Sequence, residues 1–205
     1  MQHRSDVIST LFLLVIFISG QTAANNEEPK LMNDNPDISP ENLAYISGTT
    51  PPESLQFDFL IGMWDVKGER TFPDGRKMKY LATWEARYIN DKRMIMDDFR
   101  NLSPDGKDIS SYVTLRSYSP ATKRWELAGL PAMSPAHITH EWYGLMEAGD
   151  MILTATGITP DGRAIISKFR FYDISKQQFS WESTLSFDDG KTWVRNSALI
   201  ALRSY

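Results

Sequence analysis

The 205-residue chain contains no cysteine. Disulfide bonds, thiolate metal sites and cysteine nucleophiles are therefore excluded together, and no cysteine is present to carry a lipid anchor. A folded domain built from this chain has to be held together by burial of apolar side chains alone. The residues from Leu55 to Tyr205 are numerous enough to build one well-buried core.

The chain also lacks an excess of basic charge and any recognisable catalytic motif. The chain has 22 Lys and Arg against 26 Asp and Glu, which gives a net charge of −4. Because nucleic-acid binding depends on a basic surface, we expect no nucleic-acid partner. The chain has no Gly-x-Ser-x-Gly, no phosphate-binding loop and no His-Glu-x-x-His. The sequence therefore predicts neither a catalytic set nor a metal site.

No apolar run is long enough for a helical membrane span. The longest one, Val7–Gly20, is shorter than the roughly 20 residues that a bilayer requires. It follows Arg4 and precedes small residues that end at Ala24, which is the pattern of a cleaved secretory signal. We predict a signal peptide over residues 1–24, no stable membrane span after its cleavage, and a periplasmic or secreted mature protein.

Residues 25–54 are rich in proline, asparagine and acidic residues. Such a segment buries too little apolar surface to offset the entropy of ordering it, so we predict a disordered tether. The rest of the chain, residues 55–205, is predicted to be one domain.

Alternating apolar and polar residues, broken by short turns, run through this domain. The turns include three Pro-Asp-Gly segments, whose residues favour tight turns. The pattern predicts about ten strands, over residues 64–72, 77–88, 93–101, 109–118, 124–130, 138–145, 151–158, 164–173, 179–187 and 192–203. Closing such a meander removes its exposed edges, so we predict an all-β fold, an antiparallel up-and-down barrel.

Two motifs resemble those of a known family. The first is FDFLIGMWDV at 57–66, and the second is SFDDGKTW at 186–193. Together they resemble an uncharacterised exported family of the lipocalin-like (calycin) superfamily. The resemblance implies a lipocalin-like barrel with a possible cavity, in which Arg203 of the last strand packs over Trp64 at the closed end. Met63 stands where members of that family often carry glutamate.

The second motif also fits the Asp-box of sialidase-like propellers, in which serine and aspartate brace a hairpin. A propeller needs several blades of about 40–50 residues each, and the chain carries one such box. We therefore expect Asp188 and Trp193 to have a structural role in a hairpin.

The aromatic side chains give the strongest indication of binding. In a barrel their alternation predicts an interior pocket for a small apolar or amphipathic molecule. The predicted lining residues are Tyr80, Trp84, Tyr112, Trp142 and Trp181, with Arg116 and His140 as polar contacts.

Three points stay open at the level of sequence. No cofactor is predicted, although His140 leaves a haem-binding or enzymatic barrel as an alternative. A non-catalytic scaffold with a filled core is another. Alternation also allows Asp98, Arg100, Arg116 and Arg195 to point inward, or, in the opposite register, to lie outside or at the rim.

Overall fold

A computed structural model of the protein describes residues 50–103, 106–132, 140–159 and 161–204, with only the backbone of Asp108, Ile109 and His140. The predicted signal peptide lies outside the described residues, as does the predicted tether up to residue 49. The described part begins with two short 3-10 helices, Pro52–Leu55 and Asp58–Leu60. We call these two helices and the residues between them the N-terminal plug.

Ten strands follow the plug, and turns or loops connect them. Their bounds are β1 Gly62–Thr71, β2 Lys77–Ile89, β3 Met94–Leu102, β4 Asp108–Ser119, β5 Arg124–Pro131, β6 His140–Glu147, β7 Asp150–Ile158, β8 Ala164–Tyr172, β9 Gln178–Ser186 and β10 Val194–Arg203. They agree closely with the predicted strands. The last strand starts two residues later than predicted, because Thr192 and Trp193 belong to the preceding hairpin.

Each strand pairs antiparallel with the next, and β1 pairs with β10, so the sheet closes into a barrel. The closing register places Trp64 opposite Arg203 and Val66 opposite Ala201. The predicted all-β fold, an antiparallel up-and-down barrel of about ten strands, is confirmed.

Turn chemistry explains why successive strands fold back. After β1, the Phe72 N–H donates to the Arg76 carbonyl at 2.8 Å, and the Gly75 N–H donates to the Phe72 carbonyl at 2.9 Å. Gly75 has a φ of +82°, a left-handed conformation that glycine adopts without a steric penalty. Similar turns follow β3 and β7, at Gly106 and Gly162.

Most of the largest fully buried side chains lie at the end of the barrel where β1 begins. There the plug inserts Phe57 and Leu60, both with no exposed surface, between the strands. Trp64, Trp125 and Phe179 surround them and are no more than 1 % exposed. The plug therefore closes this end, and the opposite end of the barrel is the one at which the odd-numbered strands end.

Candidate ligand-binding interior

Edge-to-face aromatic packing fills the closed end. The Phe57 ring lies 4.7 Å from the Trp125 ring and 5.7 Å from the Phe171 ring, perpendicular to both. The Trp64 and Phe179 rings are 4.8 Å apart. Such arrangements stabilise aromatic pairs beyond the area that they bury. This end of the barrel is a solid core.

Three side chains hold the plug in place by hydrogen bonds. The Trp64 indole donates to the Leu60 carbonyl at 2.7 Å, and the Trp125 indole donates to the Gln56 side chain at 3.0 Å. Arg203 donates to the Phe59 carbonyl of the plug at 3.4 Å and to the adjacent Ile61 carbonyl at 3.0 Å. Its guanidinium lies 4.1 Å from the centroid of the Trp64 ring. The geometry that the family resemblance implies for Trp64 and Arg203 is thus present.

A buried ion pair lies directly above the plug. Asp97 is 2 % exposed and Arg116 is 3 % exposed, and Arg116 Nε donates to Asp97 Oδ2 at 2.6 Å. The Trp84 indole donates to Asp97 Oδ1 at 2.8 Å. The guanidinium also lies 4.8 Å from the Phe57 ring of the plug. Because buried charges are costly unless paired, this arrangement fixes the register of β2, β3 and β4 relative to the plug.

Arg116 keeps one donor unsatisfied. Its Nη1 atom is buried and has no hydrogen-bond partner among the described residues. A buried donor without an acceptor costs about 1–3 kcal/mol, so such an atom in a native interior requires an explanation.

Aromatic side chains form a belt on the inner wall beyond this ion pair. The belt consists of Tyr80, Phe99, Tyr112, Trp142, Phe169 and Trp181. The Tyr112 and Trp142 rings are 6.0 Å apart, Trp142 and Phe169 are 5.9 Å apart, and Phe169 and Trp181 are 5.8 Å apart. All six are only half-buried, in contrast to Phe57, Trp64, Trp125 and Phe179 at the closed end.

Hydroxyl groups share this part of the interior. Ser183 and Ser197 are opposite each other on β9 and β10, and both are at most 5 % exposed. The Tyr80 hydroxyl lies 3.5 Å from Ser197 Oγ. Burial raises the pKa of the Tyr80 phenol, so this hydroxyl stays protonated in the neutral pH range. The wall therefore offers uncharged hydroxyl contacts here, next to Arg70 of β1, which is opposite Ser197.

Two glycines make room for the belt. A Cβ atom at Gly68 would overlap the Tyr80 ring, and one at Gly129 would overlap the rings of Tyr112 and Trp142. Neither glycine has a positive φ, so the requirement is for space and not for an unusual backbone conformation.

The predicted lining residues divide into three groups. Tyr80, Tyr112, Trp142 and Trp181 lie in the belt. Trp84 and Arg116 lie deeper, in the ion-pair cluster. His140 is the first residue of β6, where its backbone is opposite Gly129, and its side chain lies outside the described residues, as does all of His137.

Three charged residues that alternation allows inside lie on the outer face. Asp98 and Arg100 form an ion pair at 2.6 Å whose side chains are 23 % and 50 % exposed. Met94 and Met96 lie on the same side of β3 as Asp98. Their apolar side chains suggest a core face, but this side of the strand points outward. On β10 a register shift between Arg195 and Ser197 reverses the alternation, so Arg195 is opposite Thr184 on the outside.

Sequence reasoning missed Asp97, Phe99 and Phe169. Asp97 alternates with Ile95 and Phe99, and this apolar face was the available signal that the carboxylate points inward. The three successive apolar residues at 94–96 hide the alternation of inward and outward side chains along β3.

The SFDDGKTW motif forms the tight hairpin between β9 and β10. Thr192 Oγ1 donates to Asp188 Oδ2 at 2.6 Å, Ser186 Oγ donates to Asp188 Oδ1 at 2.8 Å, and the Gly190 N–H donates to Ser186 Oγ at 2.8 Å. The Trp193 indole donates to the Gly190 carbonyl at 3.0 Å. The contacts of Asp188 and Trp193 are those of a hairpin brace.

Two features are absent from the described ranges. No group of three His, Cys, Asp or Glu residues there is placed to hold a metal ion. None of the helices in that part of the chain has the length and apolar character needed to cross a bilayer.

Comparison with known proteins gives structural neighbours only. No protein-family model matches the chain, and no curated protein does. The Rv2717c protein of M. tuberculosis superimposes with a TM-score of 0.53 at 17 % identity, covering 77 % of this chain and 100 % of its own.

Two further neighbours are less similar. The S-type phycobiliprotein lyase CPES of Guillardia theta gives a TM-score of 0.48 at 12 % identity, covering 73 % of this chain and 90 % of its own. A de novo designed fluorescence-activating β-barrel gives a TM-score of 0.32 at 14 % identity, covering 72 % of this chain and 95 % of its own. At 17 % identity the likeness to the Rv2717c protein indicates a shared fold and does not extend to ligand or reaction.

Proposed function

We propose that the protein binds a small apolar or amphipathic molecule, without catalysis, in the half of the barrel interior that lies beyond the buried ion pair. The observation that carries this proposal is the difference in burial along the barrel. Five aromatic side chains at the closed end have almost no exposed surface, namely Phe57, Trp64, Trp125, Phe171 and Phe179, whereas the six inward-facing belt residues keep part of theirs.

A side chain on the inner wall of a closed barrel can be exposed only to space inside the barrel or at its mouth. Water in a space lined by aromatic rings is readily displaced by an apolar molecule, because the displacement buries apolar surface on both partners. The hydroxyls of Tyr80 and Ser197 supply a few polar contacts at the same level. This combination of aromatic rings with a few polar groups suits an apolar or amphipathic ligand.

Tryptophan fluorescence provides the test, since all six tryptophans lie between residues 64 and 193. We expect at least one member of a panel of palmitate, cholesterol and protoporphyrin IX to quench the emission saturably at micromolar concentration. Trp181→Phe removes a belt indole, so it should reduce the amplitude of quenching and weaken binding several-fold.

Trp193→Phe is the matched control, because it removes an indole of the β9–β10 hairpin and leaves the belt intact. It should keep the wild-type dissociation constant. The absence of quenching by every panel member would contradict the proposal and favour a scaffold with a filled core. Equal effects of the two substitutions would place binding elsewhere.

We also propose that the protein works after export and belongs to the exported family that its two motifs resemble. The features that support export are the basic start, the short apolar run and the small residues before Asn25. Expression of the full chain in a bacterium with a Sec pathway, followed by N-terminal sequencing, tests this proposal. A mature protein that begins at Asn25 is expected, and retention of residues 1–24 in the cytoplasm would contradict it.

A further inference from the structure

Arg70 is a cationic side chain on the inner wall, near the end of the barrel opposite the plug. The residues of β1 alternate without a register shift, so Arg70 shares the inner face with the buried Trp64 and Val66. It is opposite Ser197 on β10 and Met78 on β2, and it is half-buried. Its exposed surface therefore faces the interior or the mouth of the barrel, where a ligand can reach it.

The Arg70 guanidinium has no carboxylate partner in the described part of the chain. Two other arginines lie on the inner side of the barrel, and both are bound. Arg116 pairs with Asp97, and Arg203 donates to backbone carbonyls. Asp97 is also the only carboxylate among the described side chains of the inner wall, and Arg116 already neutralises it. The charge of Arg70 is therefore left for an anion from outside the chain.

The polar groups next to Arg70 are already engaged. Glu69 lies on the outer face of β1, where its carboxylate pairs with Lys77 at 2.8 Å. Ser197 Oγ donates to the Glu69 carbonyl at 3.4 Å and lies 3.5 Å from the Tyr80 hydroxyl. Burial raises the pKa of the Tyr80 phenol, and the positive charge of Arg70 opposes this rise. The charge thus acts on a belt residue, with no described carboxylate to balance it.

The position of Arg70 relative to the belt sets where a charged group of the ligand would lie. Gly68 is opposite Tyr80 and Leu199, and Leu199 is opposite Trp181, so these residues mark one level of the belt. Arg70 follows Gly68 by two residues, which places its backbone about 7 Å farther along β1. A ring system between Tyr80 and Trp181 would therefore bring a substituent on its mouth side close to the guanidinium.

A carboxylate suits this guanidinium better than other small polar groups. The planar fork of arginine donates two parallel hydrogen bonds to the two oxygens of a carboxylate. The pair would also balance the charge of Arg70 in a partly dehydrated site, where such a contact is stronger than in bulk water. An ammonium group at the same place would be repelled, and an amide would accept hydrogen bonds without balancing the charge.

We propose that the interior ligand is an amphipathic organic acid, whose carboxylate binds to Arg70 near the mouth of the barrel while its apolar part contacts the aromatic belt. This inference rests on the proposed function, because it assigns a chemical class to the ligand of that site.

Three naphthalene probes of nearly equal shape test it. The first, 6-(dimethylamino)-2-naphthoate, carries a carboxylate. The second, 6-(dimethylamino)-2-naphthamide, is its neutral isostere, and the third, 6-(dimethylamino)-2-naphthylmethylammonium, is a cation. We expect the carboxylate to bind at least about tenfold more tightly than the amide, since hydrogen bonds between charged groups account for such a difference. The cation should bind most weakly. Probe emission in a titration with protein gives all three dissociation constants.

Arg70→Gln removes the charge and keeps a side chain with hydrogen-bonding groups. In this variant the carboxylate should lose its advantage while the amide binds as it does to the wild type. The matched control is Arg195→Gln, because Arg195 lies near the same end of the barrel on the outer face of β10, with a side chain that is 60 % exposed. It removes the same charge from the protein and should retain the preference of the wild type.

Arg70→Glu provides a second variant, which should reverse the order and bind the cation most tightly. Equal affinities of the wild type for carboxylate and amide would overturn the inference, because they would mean that Arg70 is only solvated at the rim. An unchanged preference in Arg70→Gln or Arg70→Glu would overturn it as well, as would its loss in Arg195→Gln. In these outcomes a probe still binds, so the proposed function survives. Binding of none of the three probes would count against the proposed function itself.

Discussion

The Arg203 guanidinium lies 4.1 Å from the centroid of the Trp64 ring and donates to the carbonyl of Ile61, in the segment that leads from the plug into β1. The same side chain donates to the Lys176 carbonyl at 2.6 Å, in the turn before β9. One residue near the end of the chain therefore joins the first strand, the plug and a distant turn. Closure of the sheet and packing of the plug therefore depend on the same side chain.

Replacing Arg203 should destabilise the barrel. Arg203→Ala removes the contact with Trp64 and the hydrogen bonds to Ile61 and Lys176, so we expect a loss of about 1–3 kcal/mol in the free energy of unfolding. Urea denaturation followed by tryptophan emission measures it. Arg163→Ala is the control, because Arg163 is a highly exposed arginine that also lies over an aromatic ring, that of Phe187. A similar loss for both variants would show that Arg203 has no special role.

The buried ion pair predicts strongly non-additive substitutions. Asp97→Asn leaves a buried guanidinium without its counter-ion, so we expect it to cost about 3–5 kcal/mol. Asp97→Asn/Arg116→Gln removes both charges and should cost clearly less than the single substitution. Chemical denaturation of the two variants and of the wild type gives both values. Equal or larger destabilisation in the double variant would mean that the two charges are not coupled.

The fold was predictable from this sequence because strand alternation and turn residues agree with each other along most of the domain. Segments such as Lys77–Ile89, with alternating Tyr80, Ala82 and Trp84, leave one choice of inner face. The candidate site was only partly predictable. Its aromatic residues follow from alternation, but the carboxylate that neutralises Arg116 does not, because Met94 and Met96 make both faces of β3 apolar.

A register shift was the other obstacle. The shift between Arg195 and Ser197 reverses the direction of side chains within β10, and the sequence there carries no glycine or proline to mark it. Whether the buried Nη1 atom of Arg116 finds a hydrogen-bond partner depends on the geometry of several strands and of the plug together. Pattern analysis of one segment at a time cannot find such a feature.

The contact between Gly68 and Tyr80 predicts a specific double-mutant result. A Cβ atom at Gly68 would overlap the Tyr80 ring, so Gly68→Ala should cost about 1–3 kcal/mol and displace this belt residue. In a Tyr80→Leu background the same substitution should be nearly neutral. Gly144→Ala is the control, because its Cβ atom would meet the Ile152 backbone, and Tyr80→Leu should not rescue it. Additive free energies for Gly68→Ala and Tyr80→Leu would contradict the contact.

The hairpin brace predicts a contribution to stability that depends on pH. The hydrogen bonds from the Thr192 side chain and backbone and from Ser186 hold the pKa of Asp188 below its ordinary value of 3.8. A carboxyl group whose pKa is lower in the folded state stabilises the protein above its unfolded-state pKa, and this contribution disappears as the pH falls through the folded-state pKa. Asp188→Ala should therefore be less stable than wild type at pH 7, with a difference that shrinks below about pH 4.

Urea midpoints of the wild type and of Asp188→Ala between pH 7 and pH 2.5 measure this effect. Thr192→Val provides an independent check, because it removes the 2.6 Å donor to Asp188 Oδ2 and leaves the carboxyl group in place. It should reproduce part of the loss at pH 7 and shift the remaining pH dependence toward higher pH, since the carboxylate is then less stabilised. A difference between wild type and Asp188→Ala that stays constant over the whole range would mean that the brace acts through chain geometry and not through the charge of Asp188.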